Sequence, residues 1–112
     1  MRNNIAVSKN FLLSEFECPC CGLAKIDSRV VNALQKLRDK IGVITVTSGC
    51  RCKKHNAEVG GVADSAHLYG RAVDIAVPAG QQTRIKKSAL ESGFEKVLCY
   101  PDREYIHMQI NK

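Results

Sequence analysis

The order of elements along the chain predicts an α+β fold, a small and largely antiparallel sheet with helices packed against it. Three observations carry this expectation. An amphipathic helical stretch stops at Gly42, a β-branched run follows at residues 43–48, and alternating apolar segments at 71–77 and 104–110 flank a second helical pattern. With 112 residues, 45% hydrophobic and 25% charged, the chain suffices for one core and is too short for two ordinary domains, so a single domain over residues 1–112 is expected.

The elements follow in order. Ser14-Glu15-Phe16-Glu17 reads as a short helical turn, with Ser14 as N-cap and Glu17 closing a capping box. It opens a cysteine-rich segment over about residues 14–25, centred on Cys18-Pro19-Cys20-Cys21-Gly22. Asp27 or Ser28 caps a helix to about Ile41, because Val30, Val31, Leu34, Leu37 and Ile41 share one face and Gly42 suits its end. The strand at 43–48 stops before Gly49, and a loop then runs to Ala66, with Gly60-Gly61 breaking any regular element. Residues 71–77 form a strand closed by Pro78. Residues 81–92 form a helix with Ile85, Ala89 and Leu90 inward and Gly93 as its stop. Strands at 94–100 and 104–110 are joined through Pro101-Asp102-Arg103 as a hairpin.

The formal net charge of +6 suits an anionic partner, but the 17 Lys and Arg are scattered from Arg2 to Lys112, the pattern of a solvated surface. No nucleic-acid partner is expected. The first ten residues hold no apolar signal core, and no run approaches the ~20 apolar residues of a membrane span. Synthesis in the cytoplasm without a signal peptide, no membrane insertion and a monomeric state are the expectations. Six cysteines without an export signal point to thiols or a metal site more than to the disulfides of a secreted domain.

A carboxylate inside an apolar strand calls for a cation. In 71–77, strand alternation puts Val73, Ile75 and Val77 on one face and Ala72, Asp74 and Ala76 on the other. In the last strand Ile106, Met108 and Ile110 oppose Tyr105, His107 and Gln109. Two strands of one sheet can therefore present Asp74 and His107 side by side, with His67 returning from the preceding loop. Two histidines and a carboxylate suit catalytic zinc, which keeps a fourth position open. Spacing alone also allows surface or satisfied core histidines.

Several motifs taken together are more specific. Ser48-Gly49-Cys50-Arg51, His55-Asn56, Val59-Gly60-Gly61, Ser65-x-His67-x-x-Gly70-x-Ala72-x-Asp74 and Glu104-x-x-His107 resemble the zinc D-alanyl-D-alanine carboxypeptidase family of peptidoglycan peptidases. Those enzymes share their fold with lysostaphin-type enzymes and the hedgehog signalling domain. The resemblance reaches back to "FLLSEFECPCCG" and covers nearly the whole chain. It implies that His67, Asp74 and His107 bind Zn2+ and that Glu104 is the general base and acid. Arg51 would stabilise the oxyanion or hold a substrate carboxylate, and Ser65 would hydrogen-bond the peptide. Tyr69 is expected as a pocket wall, and His55 as a residue that orders its loop. The chain departs from the pattern at Cys50, where the family often has an aromatic residue, and at Gln109, where it often has an acidic one.

The implied function is a zinc metallopeptidase that cleaves D-amino-acid-containing peptide bonds of bacterial peptidoglycan, as a carboxypeptidase or an endolysin-type endopeptidase. The cell wall is its expected site of action, and the short chain without an export signal suits a phage or prophage lysis enzyme. The rival class is a non-catalytic zinc-containing module that binds peptidoglycan or a protein. A DNA-binding protein built on a cysteine-bound zinc is a third reading, and it leaves His67, Asp74 and His107 unexplained. Cys18 and Cys21, facing Cys50 and Cys52, are open to three readings: a structural metal site, disulfides, or buried thiols. Cys99 is expected in the core.

Overall fold

The structure, a computed structural model, describes residues 5–19, 21, 24–60 and 65–111. Cys20, Gly22 and Gly61, named above, lie outside the described residues.

The chain begins with a small hairpin, β1 (Ala6–Ser8) against β2 (Phe11–Leu12), which the sequence reading did not include. It docks on the first helix: Ser8 Oγ donates to Gln35 Oε1 at 2.7 Å, and the Gln35 amide donates to Asn10. A 3-10 turn follows at Leu13–Phe16. Its capping carboxylate is Glu15, which accepts from the Leu12 N–H at 2.7 Å. The box expected from Ser14 and Glu17 is therefore displaced towards the N-terminus; Glu17 instead bridges to Ala24.

Helix α1 spans Ser28–Ile41. Asp27 caps it, its carboxylate accepting from the Arg29 N–H at 2.8 Å, and the Gly42 N–H closes the far end on the Arg38 carbonyl. The predicted inward residues are buried apart from half-buried Ile41, and Ala33 joins them. β3 occupies only Val46–Ser48 of the predicted 43–48. Ile44 enters the core while Val43 stays 84% exposed, so the β-branched run reaches the sheet edge late.

The segment expected as a loop contains a short helix, α2 (Lys53–Glu58), followed by a 3-10 turn at Ala66–Tyr69. Strand β4 (Ala72–Ala76) leads through a turn into α3 (Gln82–Ser92), and β5 (Lys96–Tyr100) and β6 (Tyr105–Gln109) form the predicted hairpin. Leu90 is 45% exposed, contrary to the inward face expected for it. It lies five residues from Ile85, about 140° round the helix, while Gln82, Ile85, Ala89 and Ser92 form the buried face.

The main sheet has the order β3-β4-β6-β5, and every pair in it is antiparallel. This bears out the α+β architecture. Register sorts the two faces. Val73, Met108 and Val97 line up across one face and are buried with the apolar side chains of α1 and α3. Ser48, Asp74, His107 and Leu98 line up across the other. The helices cover the first face and leave the second for the loops that follow β3. Cys99 packs at the margin of the core, as expected.

Gln82 ties the strand ends together. Its buried amide nitrogen is 3.1 to 3.2 Å from the carbonyls of Val77, Tyr100 and Tyr105. Among the described residues no helix is long and apolar enough to cross a membrane.

Candidate metal centre and active site

Three groups converge on Asp74 from three elements. His107 stands directly opposite it on β6, and its Nδ1 is 3.0 Å from Asp74 Oδ1. His67, from the 3-10 turn, places Nε2 3.3 Å from the same oxygen. Arg51, from the loop after β3, places Nη2 3.5 Å from Asp74 Oδ2. Arg51 is the permanent cation that the buried carboxylate requires, and each histidine is a further one only when protonated. Burial pushes Asp74 up, but its contacts with His107 and His67 outweigh that and hold its pKa at about 2.

Backbone geometry holds His67 in place. Ser65 Oγ accepts from the His67 N–H at 3.2 Å and caps the turn, which ends at Gly70 with φ 70°. A Cβ on Gly70 would fall 2.5 Å from the Lys25 carbonyl oxygen, so glycine is required by both backbone and space. His67 Nδ1 lies 2.7 Å from the Gly49 carbonyl oxygen. A carbonyl only accepts, so Nδ1 carries the proton and Nε2 keeps its lone pair. That Nε2 is buried and has no hydrogen-bond partner.

His107 is oriented in the same way from the other side. Gln109 Nε2 donates to Asn111 Oδ1, which turns Gln109 Oε1 to His107 Nε2 at 2.7 Å. Both His107 nitrogens thus face acceptors, Gln109 Oε1 and, at 3.0 Å, Asp74 Oδ1; a metal held at Nδ1 would leave the Nε2 proton on Gln109. Gln109, where the resembled family often has an acidic residue, thus supplies an acceptor of the required kind.

The donor set fits zinc. His67, Asp74 and His107 each offer one ligand atom within 4.8 Å of the others. A tetrahedral ion with bonds of about 2.0–2.1 Å separates its ligand atoms by about 3.3 Å, close to the two Asp–His distances. An imidazole bonded to a carbonyl through one nitrogen, with the other nitrogen buried and unpartnered, is the usual state of a zinc-binding histidine.

The surrounding cleft has a volume of about 790 Å³. Arg51, Arg71, Lys96 and Arg103 line it, with Asp74 as the one carboxylate among the described lining residues. Tyr100 and Tyr105 also line it and stack with ring centroids 4.5 Å apart. Burial, then the charge of Asp74, push the Tyr105 phenol up, so it remains a protonated donor.

The other expected site residues fall as follows. Arg51 is largely buried and braced: Nε donates to Ser48 Oγ at 3.3 Å and Nη1 to Asn56 Oδ1 at 3.2 Å. Ser65 lines the cleft. Tyr69 does not; it is 45% exposed, with the Arg71 guanidinium 5.1 Å from its ring centroid. The wall expected from Tyr69 is supplied by Tyr100 and Tyr105. Glu104 is exposed at the mouth of β6, outside the cleft-lining residues, and is the one described non-glycine residue with positive φ, 55°. His55 lies in the first turn of α2, away from the metal group.

The sequence reading assigned no role to Asn56, Arg71, Lys96, Tyr100, Arg103 or Tyr105. Alternation placed Tyr105 on the face of His107, which was a usable signal. Lys96 and Tyr100 reach the cleft only through the register of β5 against β6.

A third of the expected groups is the cysteines. Cys18, Cys21 and Cys52 offer sulfurs within 4.8 Å of one another. Cys50, expected among them, is outside that group and fully buried; burial pushes its thiol up, against a hydrogen bond from the Lys25 backbone.

The sequence pattern that defines the family described as peptidase M15 matches residues 9–109. The chain belongs to that family. It is also similar to a zinc D-Ala-D-Ala carboxypeptidase from Streptomyces albus G, 34% identical over 67 residues, which cover 58% of this chain and 26% of the relative. The matched segment thus spans about a quarter of that relative's length.

Proposed function

We infer that this chain is a zinc metallopeptidase that hydrolyses D-amino-acid-containing peptide bonds of bacterial peptidoglycan, as a D-Ala-D-Ala carboxypeptidase or as an endolysin-type endopeptidase at the cell wall. The observation that carries the reading is the buried, unpartnered His67 Nε2 aimed at Asp74 beside His107. The name of the Streptomyces relative supports the substrate class. The cationic cleft supports a peptide bearing carboxylates.

His67, Asp74 and His107 would hold the ion. Zinc held there would supply Lewis acidity for the scissile carbonyl and for a water near neutral pH. Arg51 has five N–H donors, of which three are engaged by Ser48, Asn56 and Asp74. The remaining two can meet the developing oxyanion or a substrate carboxylate. Ser65 Oγ accepts from the His67 N–H, so its own proton is available to a peptide carbonyl. Glu104 takes the proton of the attacking water and passes it to the leaving amine as the C–N bond breaks. Its left-handed backbone, uncommon for a residue with a Cβ, is an outlier of the kind that collects at functional sites.

The test is digestion of purified peptidoglycan by zinc-loaded protein, with fragments identified by mass spectrometry. Released D-Ala marks a carboxypeptidase, and new amino termini within cross-links mark an endopeptidase. Glu104→Gln should retain zinc and lose about 10²–10⁴-fold in rate, roughly 3 to 5 kcal/mol of transition-state stabilisation. Equal rates in both proteins would remove Glu104 from the mechanism. Binding without fragment release from several wall types would establish the non-catalytic module instead.

A further inference from the structure

Besides His67, Asp74 and His107, the described residues contain another cluster with metal-ligand chemistry, and it lies in a different part of the fold. Cys18 and Cys21 belong to the turn after the N-terminal 3-10 segment, and Cys52 immediately precedes α2. The Cys18 and Cys52 sulfurs are 3.7 Å apart. A disulfide needs about 2.05 Å, whereas two thiolates on one tetrahedral zinc with bonds of about 2.3 Å stand about 3.8 Å apart. Cys21 brings a third sulfur within 4.8 Å of both.

Backbone donors already meet these sulfurs. The Cys52 N–H points at Cys18 Sγ at 3.5 Å, and the His55 N–H points at Cys52 Sγ at 3.4 Å. Such contacts orient the sulfurs towards one another, as hydrogen bonds to a ligand atom do at a metal site. Cys18 is fully buried, Cys52 half-buried and Cys21 exposed, so an ion would sit at the surface end of the cluster with a route for entry. The Cys-x-x-Cys spacing of Cys18 and Cys21 is a common half of structural zinc sites.

We propose that Cys18, Cys21 and Cys52 hold a second, structural zinc ion that pins the N-terminal turn to the loop carrying Arg51. A tetrahedral ion has one more position, and Cys50 is not its donor, being outside the mutual range of the three sulfurs. The consequence for the cleft is direct. The Cys50 N–H donates to Phe16 O at 2.7 Å, and a Cβ on Gly49 would meet Phe16 Cα at 2.6 Å, so this loop already lies against the N-terminal segment. The same few residues supply the Gly49 carbonyl that orients His67 and the Arg51 guanidinium that meets Asp74. An ion at Cys52 holds that loop in register from its far side.

Elemental analysis of protein purified under reducing conditions, with zinc added, tests this independently of the peptidase reading. Wild type should carry about two zinc ions per chain. Cys18→Ser, Cys21→Ser and Cys52→Ser should each lose one and keep the ion at His67, while His67→Ala should lose one and keep the ion at the cysteines. Cys50→Ser and Cys99→Ser should retain both. Because a cysteine variant can fail to fold, cobalt-loaded wild type supplies a second measurement: thiolate-to-cobalt charge-transfer absorption in the near ultraviolet should appear and should persist in His67→Ala. Absence of that absorption, a Cys18–Cys52 disulfide in the zinc-treated protein, or zinc lost on Cys50→Ser as fully as on Cys52→Ser would each overturn the proposal.

Discussion

The Gly49 carbonyl oxygen and His67 Nδ1 are 2.7 Å apart, and this one contact fixes which imidazole nitrogen is left for the metal. Gly49 can come that close because it has no Cβ, which would otherwise stand 2.6 Å from Phe16 Cα. Gly49→Ala must therefore shift the carbonyl. Chelator competition should show zinc affinity at His67, Asp74 and His107 weakened by about 10–100-fold, the usual scale for disturbing a ligand's hydrogen-bond partner. Unchanged affinity would mean that another contact sets the tautomer.

Asp74 makes the metal-free protein acid-sensitive in a defined window. Its folded pKa of about 2 lies below the ordinary aspartate value of 3.8, so its contribution is fully present above about pH 4 and disappears as pH falls through 2. The shift corresponds to about 2 kcal/mol. Denaturant titrations of chelator-treated protein between pH 5 and 2 should show a decline of that order, and Asp74→Asn should lack this part of it. Parallel profiles would assign the decline to other carboxylates.

Arg51→Lys keeps the charge but removes the planar fork that spans Ser48, Asn56 and Asp74. If Arg51 meets the oxyanion, kcat should fall by about 10²–10³-fold with zinc content unchanged. A change confined to KM would place Arg51 on a substrate carboxylate instead.

Gln82 donates from a buried position to the ends of β4, β5 and β6. Gln82→Leu leaves those carbonyls with fewer donors and should cost about 1–3 kcal/mol in chemical denaturation. Leu90→Ala, on an exposed position of the same helix, should stay within about 0.5 kcal/mol. A reversed ranking would show that α3 packs through another face.

What the sequence by itself determined is what depends on near neighbours along the chain. Asp27 and Gly42 bound α1 because caps act within one turn, and alternation sorted Asp74 and His107 from Val73 and Met108 because the strand period is two. The motif set around His67 and Asp74 also sufficed to indicate the family that the match over residues 9–109 shows. Tertiary structure alone decided which strands adjoin and in what register, since pairing depends on the closure of whole loops and on how α1 and α3 pack. That register puts Asp74 opposite His107 and brings Lys96 and Tyr100 to the cleft. The same long-range packing turned Leu90 outward and placed Tyr69 beyond the wall. It also chose Cys52 over Cys50 as the partner of Cys18, a choice between residues two apart that depends on how the loop lies against Phe16.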